Sequence, residues 1–128
     1  MGARAPTNLA EEGKAFAWSM WALTELEDNI VTLVQSVLMP PERKPEAARV
    51  ERAKEALNGP LRVLDAALVQ SQYLLGSRFT VADLNVAGVT AGLRVAKFEL
   101  DAWPNVRAWL GACTGRKAFA ELRLTLPQ

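Results

Sequence analysis

Apolar residues recur at steps of three and four along almost the whole chain, and no stretch of useful length alternates in the way a strand would. In the first segment Phe16, Met20, Leu23, Leu26, Ile30, Leu33, Val34 and Val37 share such a spacing, which places them on one face of a helix. The pattern predicts a single long helix from Leu9 to Leu38, ended by Pro40 and Pro41 because neither donates a backbone N–H. A second stripe, Val50, Ala53, Leu57, Leu61, Leu64 and Leu68, follows Pro45. Asn58-Gly59-Pro60 interrupts it, yet the apolar phase carries through from Leu57 to Leu61. The expectation is therefore one kinked helix over Glu46–Gln70.

The segment Tyr73-Leu-Leu-Gly-Ser-Arg-Phe-Thr-Val-Ala-Asp-Leu84 holds a local start signal. Thr80 and Asp83 have the spacing of a capping box, with Phe79 and Leu84 at the two positions of a hydrophobic staple. The helix should begin at Val81 and reach about Val95. Gly88, Gly92 and several alanines make it a poor helix in isolation, so it should be a central one, approached closely from several sides. A turn at Asp101–Val106 leads into a further helix with Trp109 and Leu110 facing inward, broken at Gly115, and Lys117–Leu124 is read as a short last helix. The fold class is all-α, a bundle of about five helices in one domain spanning residues 1–128.

Composition narrows the chemistry. Among 128 residues there is no histidine, which removes imidazole bases, Ser-His and Cys-His nucleophile pairs and histidine metal ligands together. The single cysteine, Cys113, cannot close an internal disulfide or build a zinc site, so no metal is expected and a reducing cytoplasm suits the chain. Fifteen basic side chains oppose fourteen acidic ones, interleaved rather than clustered, which leaves no footprint for nucleic acid or an anionic membrane. The N-terminal residues carry charges and no apolar core, and the near-apolar stretch Ala15–Leu23 is too short to span a bilayer.

Three polar or reactive positions read as structural. Thr80 and Asp83 are a cap rather than a catalytic pair, and Cys113 falls within a helix as a small buried apolar group. The first helix is different. Trp18, Trp21 and Glu25 define a second line beside the main stripe, so the helix is apolar on more sides than one neighbour can cover. These three residues are the candidates for an interface or pocket wall, since aromatic side chains are enriched at such surfaces. The competing reading is that both tryptophans fill the core.

Leu74, Gly76, Phe79, Thr80, Ala82 and Asp83 match the LxGxxFTxAD pattern that caps the central helix in the C-terminal domain of glutathione S-transferases. Trp103-Pro104-Asn105-Val106 with Trp109-Leu110 resembles the following turn and helix of that domain. Arg116-Lys117-Ala118-Phe119 resembles its terminal motif, with Lys117 where proline is commoner, and Trp18–Glu25 is similar to its first helix. The family's catalytic residue and most of its glutathione pocket lie in a preceding thioredoxin-like domain, which the resemblance implies is absent from these residues. What it assigns to a domain like this one is a wall of the electrophile pocket and part of a homodimer interface, with glutathione as co-substrate of the complete protein. It also implies that Glu25 can lie near glutathione of the partner subunit. Catalysis by this chain alone is not expected, and the first helix is the expected contact for a second copy or a thioredoxin-like domain. The alternative function is a stand-alone docking module, because similar helical domains dock components in translation-factor and aminoacyl-tRNA synthetase assemblies.

Overall fold

The computed structural model describes residues 8–116 and is helical with no named strand among them. The helices are α1 (Leu9–Glu25), α2 (Glu27–Leu38), α3 (Ala47–Ala56), α4 (Asn58–Ala67), α5 (Val81–Thr90), α6 (Gly92–Val95) and α7 (Pro104–Thr114). A short 3-10 turn, Pro41–Arg43, follows the double proline. Four of the five expected helices are present in the described part, three of them bent at single residues. The expected last helix, Lys117–Leu124, and the terminal motif beyond Arg116 lie outside the described residues.

The expected Leu9–Leu38 helix bends at Leu26. Its backbone hydrogen bonds continue through the bend, with the Leu26 N–H donating to Ala22 and the Ile30 N–H to Leu26, each at 3.0 Å. No proline or glycine stands there; the bend accompanies complete burial of the Leu26 side chain. The second bend, at Leu57, has an evident cause in Pro60, which lacks the N–H that would reach Ala56. Leu57 also accepts from Leu61 at 2.9 Å, so α3 and α4 form the single bent rod that the stripe implied.

The core is assembled from Leu26, Ile30 and Leu33 of α2 and its bend, Leu57, Leu61 and Leu64 around α4, Val86 and Ala87 of α5, Leu93 of α6, and Val106, Trp109 and Leu110 of α7. Helix α5 packs against α1, α2 and α7, the central position expected from its small residues. A further close approach lies just beyond it, at the start of α6. A Cβ added at Gly92 would sit 2.6 Å from Ile30 Cγ2, so glycine is what lets α6 lie against α2.

Two loop conformations matter. Gly76 has φ +133° in the tight turn where Tyr73 and Gly76 exchange backbone hydrogen bonds, a region open to glycine and strained for other residues. After α6 the chain ends its helix in a Schellman arrangement: Phe98 N–H donates to Leu93 at 2.9 Å and Lys97 N–H to Arg94 at 3.1 Å. The residue in the left-handed position is Lys97, φ 57°, where glycine is the common choice and a side chain costs about 1 kcal/mol.

Candidate functional site

The predicted start of α5 is present and more extensive than a local cap. Thr80 N–H donates to Asp83 Oδ2 at 2.9 Å, and the Thr80 hydroxyl accepts from Ala82 N–H at 3.3 Å while donating to Asp83 Oδ2 at 3.3 Å. The other carboxylate oxygen is equally engaged. Leu74 N–H and the Trp109 indole N–H each donate to Asp83 Oδ1 at 2.9 Å. Asp83 therefore joins the loop after α4, the start of α5 and the middle of α7, and it is wholly buried. The capping spacing pointed to the Thr80 contacts; nothing in the spacing pointed to Leu74 or Trp109. A second cap acts between elements: Asp65 of α4 accepts from Asn105 N–H at 2.8 Å and Val106 N–H at 3.1 Å, which satisfies the otherwise uncapped start of α7.

Cys113 is buried within α7, as expected of a structural cysteine. Burial pushes its thiol above the ordinary range, the nearby Asp83 carboxylate adds to that shift, and the Arg116 guanidinium opposes it. The group is held as the neutral thiol and lacks nucleophile character.

On α1 the structure redistributes the expected faces. The side chains that meet the rest of the domain are small, Ala15 and Ala22, with Ser19 hydrogen-bonded to Asn85 of α5 at 3.0 Å. Phe16, Met20 and Leu23, expected to point inward on the main stripe, are 69%, 43% and 47% exposed. The reason is α5: its small residues bring it close to α1, and only small side chains of α1 fit that contact. The larger apolar residues turn outward. Trp18 and Trp21 lie between the two extremes, partly buried against the core and packed edge to face, ring centroids 5.2 Å apart at 87°. With Lys14, Ala17 and Val63 of α4 they line an open groove of about 360 Å³. Glu25 is exposed at the last position of α1, one turn beyond Trp21, and does not line the groove.

Thus the structure brings Trp18 and Trp21 together in one apolar groove, keeps Glu25 apart from it, and puts Thr80 and Asp83 in the frame rather than at a surface. The missed surface residues, Phe16, Met20 and Leu23, had a signal in the excess width of the apolar stripe on α1. The N-terminal end of the helix is tied down by an ion pair between Glu11 and Arg78, 3.0 Å.

Comparison with known proteins gives the same frame an evolutionary setting. Residues 26–117 match the family model "Glutathione S-transferase, C-terminal domain". Glutathione S-transferase 3 of Zea mays is 36% identical over 86 residues, 65% of this chain and 39% of that protein. A shorter match, 53% identical over 38 residues, joins 30% of this chain to 10% of a probable elongation factor 1-gamma of Caenorhabditis elegans. Among solved structures, the apo theta class glutathione S-transferase of the citrus canker pathogen Xanthomonas axonopodis pv. citri superposes with a TM-score of 0.81 at 26% identity, covering 94% of this chain and 63% of that one. The chain thus spans 39% and 10% of the two curated relatives and 63% of the solved structure, in each case less than two thirds of the relative's length. With a capped central helix, two bent rods packed around it and a family match across most of its length, the chain belongs to the glutathione S-transferase C-terminal domain family.

Proposed function

We propose that these residues are the helical half of a glutathione transferase-like protein, in which the Trp18–Trp21 groove forms a wall of the site for an apolar electrophile. The observation that carries the reading is the groove itself: two half-buried tryptophans over α4, open on one side and walled by apolar side chains. In this reading glutathione is the co-substrate, its thiol activated by a thioredoxin-like domain supplied on the same or another chain. The lone thiol among the described residues is buried and held neutral, so it supplies no nucleophile of its own. The exposed Phe16, Met20 and Leu23 face is the proposed contact for a second copy, and in this reading Glu25, exposed at the end of the same helix, would meet glutathione bound to the partner subunit. A single buried cysteine without a disulfide fits action in the cytoplasm. Among the described residues no helix is long and apolar enough to cross a membrane.

The test joins these residues to the thioredoxin-like half of the maize relative and measures conjugation of an apolar electrophile. The chain alone should show neither turnover nor retention on immobilised glutathione, and the chimera should conjugate. Trp18→Ala with Trp21→Ala should raise KM for the electrophile several-fold while KM for glutathione holds. Turnover by the chain alone, or an unchanged electrophile KM in the double variant, overturns the reading. The second reading, a docking module, is favoured by the match to the elongation factor and by the exposed apolar face of α1. It predicts an inactive chimera and a stable complex through that face.

A further inference from the structure

A second cavity, of about 420 Å³, shares no residue with the tryptophan groove. It lies where the end of α2, the helix α3 and the segment after α6 meet. Its apolar lining comes from Leu33, Val50 and Ala96 with the rings of Phe98 and Trp103. Those rings are stacked, centroids 6.0 Å apart and planes 20° from parallel, so together they present a flat apolar wall. Ammonium groups are supplied by Lys54 and Lys97, a carboxylate by Glu99 and a hydroxyl by Ser36. The Ser36 hydroxyl is already committed as a donor to the Leu33 carbonyl at 2.6 Å, and Lys54 is shared with exposed Glu51 at 3.4 Å.

Lys97 is the informative member. It occupies the left-handed position of the Schellman turn, where glycine would carry no strain, and it contributes nothing to the turn that a glycine would not. The backbone cost is tolerated at the one residue that adds a cation to this cavity from the α6 side. Strained residues of this kind gather at ligand clamps.

We infer that this cavity binds a planar aromatic carboxylate, its ring against the Phe98–Trp103 wall and its carboxylate between Lys54 and Lys97. The volume is of the size that takes a one- or two-ring molecule, and a flat apolar wall with cations at its edge fits an aromatic anion better than a neutral or cationic ring. Glu99, also in the lining, offsets part of the lysines' charge, which limits the ligand to a single carboxylate. Both lysines are exposed, so the charge contribution is modest and the aromatic wall supplies most of the affinity.

The test is a titration of the isotopically labelled full chain with 1-naphthoate and with neutral 1-naphthamide, followed by amide and indole shifts in NMR. Saturable naphthoate shifts should gather at Lys97, Phe98 and the Trp103 indole. Lys54→Ala with Lys97→Gly should weaken naphthoate about fivefold and leave naphthamide unchanged. Lys97→Gly alone should melt at the same or a higher temperature than the parent chain, which separates lost binding from lost structure. The inference is overturned if the shifts fall on Trp18 and Trp21 instead, if naphthamide binds as well as naphthoate, if the double variant binds naphthoate undiminished, or if no saturable shift occurs.

Discussion

The start of α5 and the outer face of α1 are built on opposite terms. Around Asp83 both carboxylate oxygens are taken up by buried donors, and the one side chain holds three parts of the chain together. On α1 large apolar side chains stand in solvent while alanines make the contact with α5. The first region is specified by hydrogen bonds that cannot be replaced by water, so it tolerates little change. The second meets the domain only through small residues, which leaves its large side chains free to serve contacts outside it. Stability and interaction are thereby assigned to different faces, and each substitution below should disturb one and spare the other.

Removing the carboxylate should have the largest effect. Asp83→Ala leaves Leu74 N–H, Thr80 N–H, the Thr80 hydroxyl and the Trp109 indole without their acceptor. Stranding a buried donor costs about 1–3 kcal/mol, so the loss should exceed 4 kcal/mol and approach the whole stability of a small domain. A simple cap, judged from the Thr80–Asp83 spacing alone, would be worth only about 1 kcal/mol. Thr80→Ala should cost about that lesser amount, and in urea melts the double variant should be less destabilised than the sum because the two groups bond each other. A loss near 1 kcal/mol for Asp83→Ala would mean that the links to Leu74 and Trp109 carry no weight.

The tryptophans fall between the two regions. A fully buried tryptophan costs about 3–5 kcal/mol when truncated, and Trp109 should behave so. Trp18 and Trp21 are half-buried and face a groove, so each alanine should cost about 1–2 kcal/mol, with the pair coupled through their edge-to-face contact. Thermal melts of the single and double variants would decide. Losses equal to that of Trp109→Ala would place both residues in the core.

How much of this was legible beforehand depended on how far the deciding contact lies along the chain. The capping box needs only residues three apart, so the spacing of Thr80 and Asp83 is enough to mark Val81 as the first residue of the helix. The bend at Leu57 was visible because Pro60 acts within its own turn. The inversion of α1 was not. Its inner face depends on how near α5 comes, and α5 lies some sixty residues away in sequence. Likewise the ties from Asp83 to Trp109 and from Asp65 to Asn105 span 26 and 40 residues, and no local pattern marks them.

Two glycines sharpen the same point at smaller cost. Gly92→Ala would drive a Cβ to 2.6 Å from Ile30 Cγ2, and overpacking of this sort costs about 1–3 kcal/mol, more than helix propensity returns. Gly111 in α7 has only the end of the Arg94 side chain near, 3.7 Å from such a Cβ. Gly111→Ala should therefore stabilise by about 1 kcal/mol. Opposite signs in the two melts are the expected result. Equal signs would show that the close approach of α6 to α2 is not what holds glycine at position 92.

The smallest effect on stability belongs to the outer face of α1, where it is also the most informative. Phe16→Ser with Met20→Ser leaves the core contacts of Ala15 and Ala22 in place, so the melting midpoint should move by no more than about 0.5 kcal/mol equivalent. Its effect should appear instead in the association state. An apolar face of several large side chains favours self-association of the isolated chain, and two serines remove the greater part of that drive. Sedimentation should show the parent chain concentration-dependent and the variant monomeric. If both sediment as monomers at the same concentration, the outer face of α1 does not bring two copies together, and its exposed side chains must be assigned to a different partner. If instead the variant unfolds, Phe16 and Met20 belong to the core after all, and the division between the two faces of α1 collapses with them.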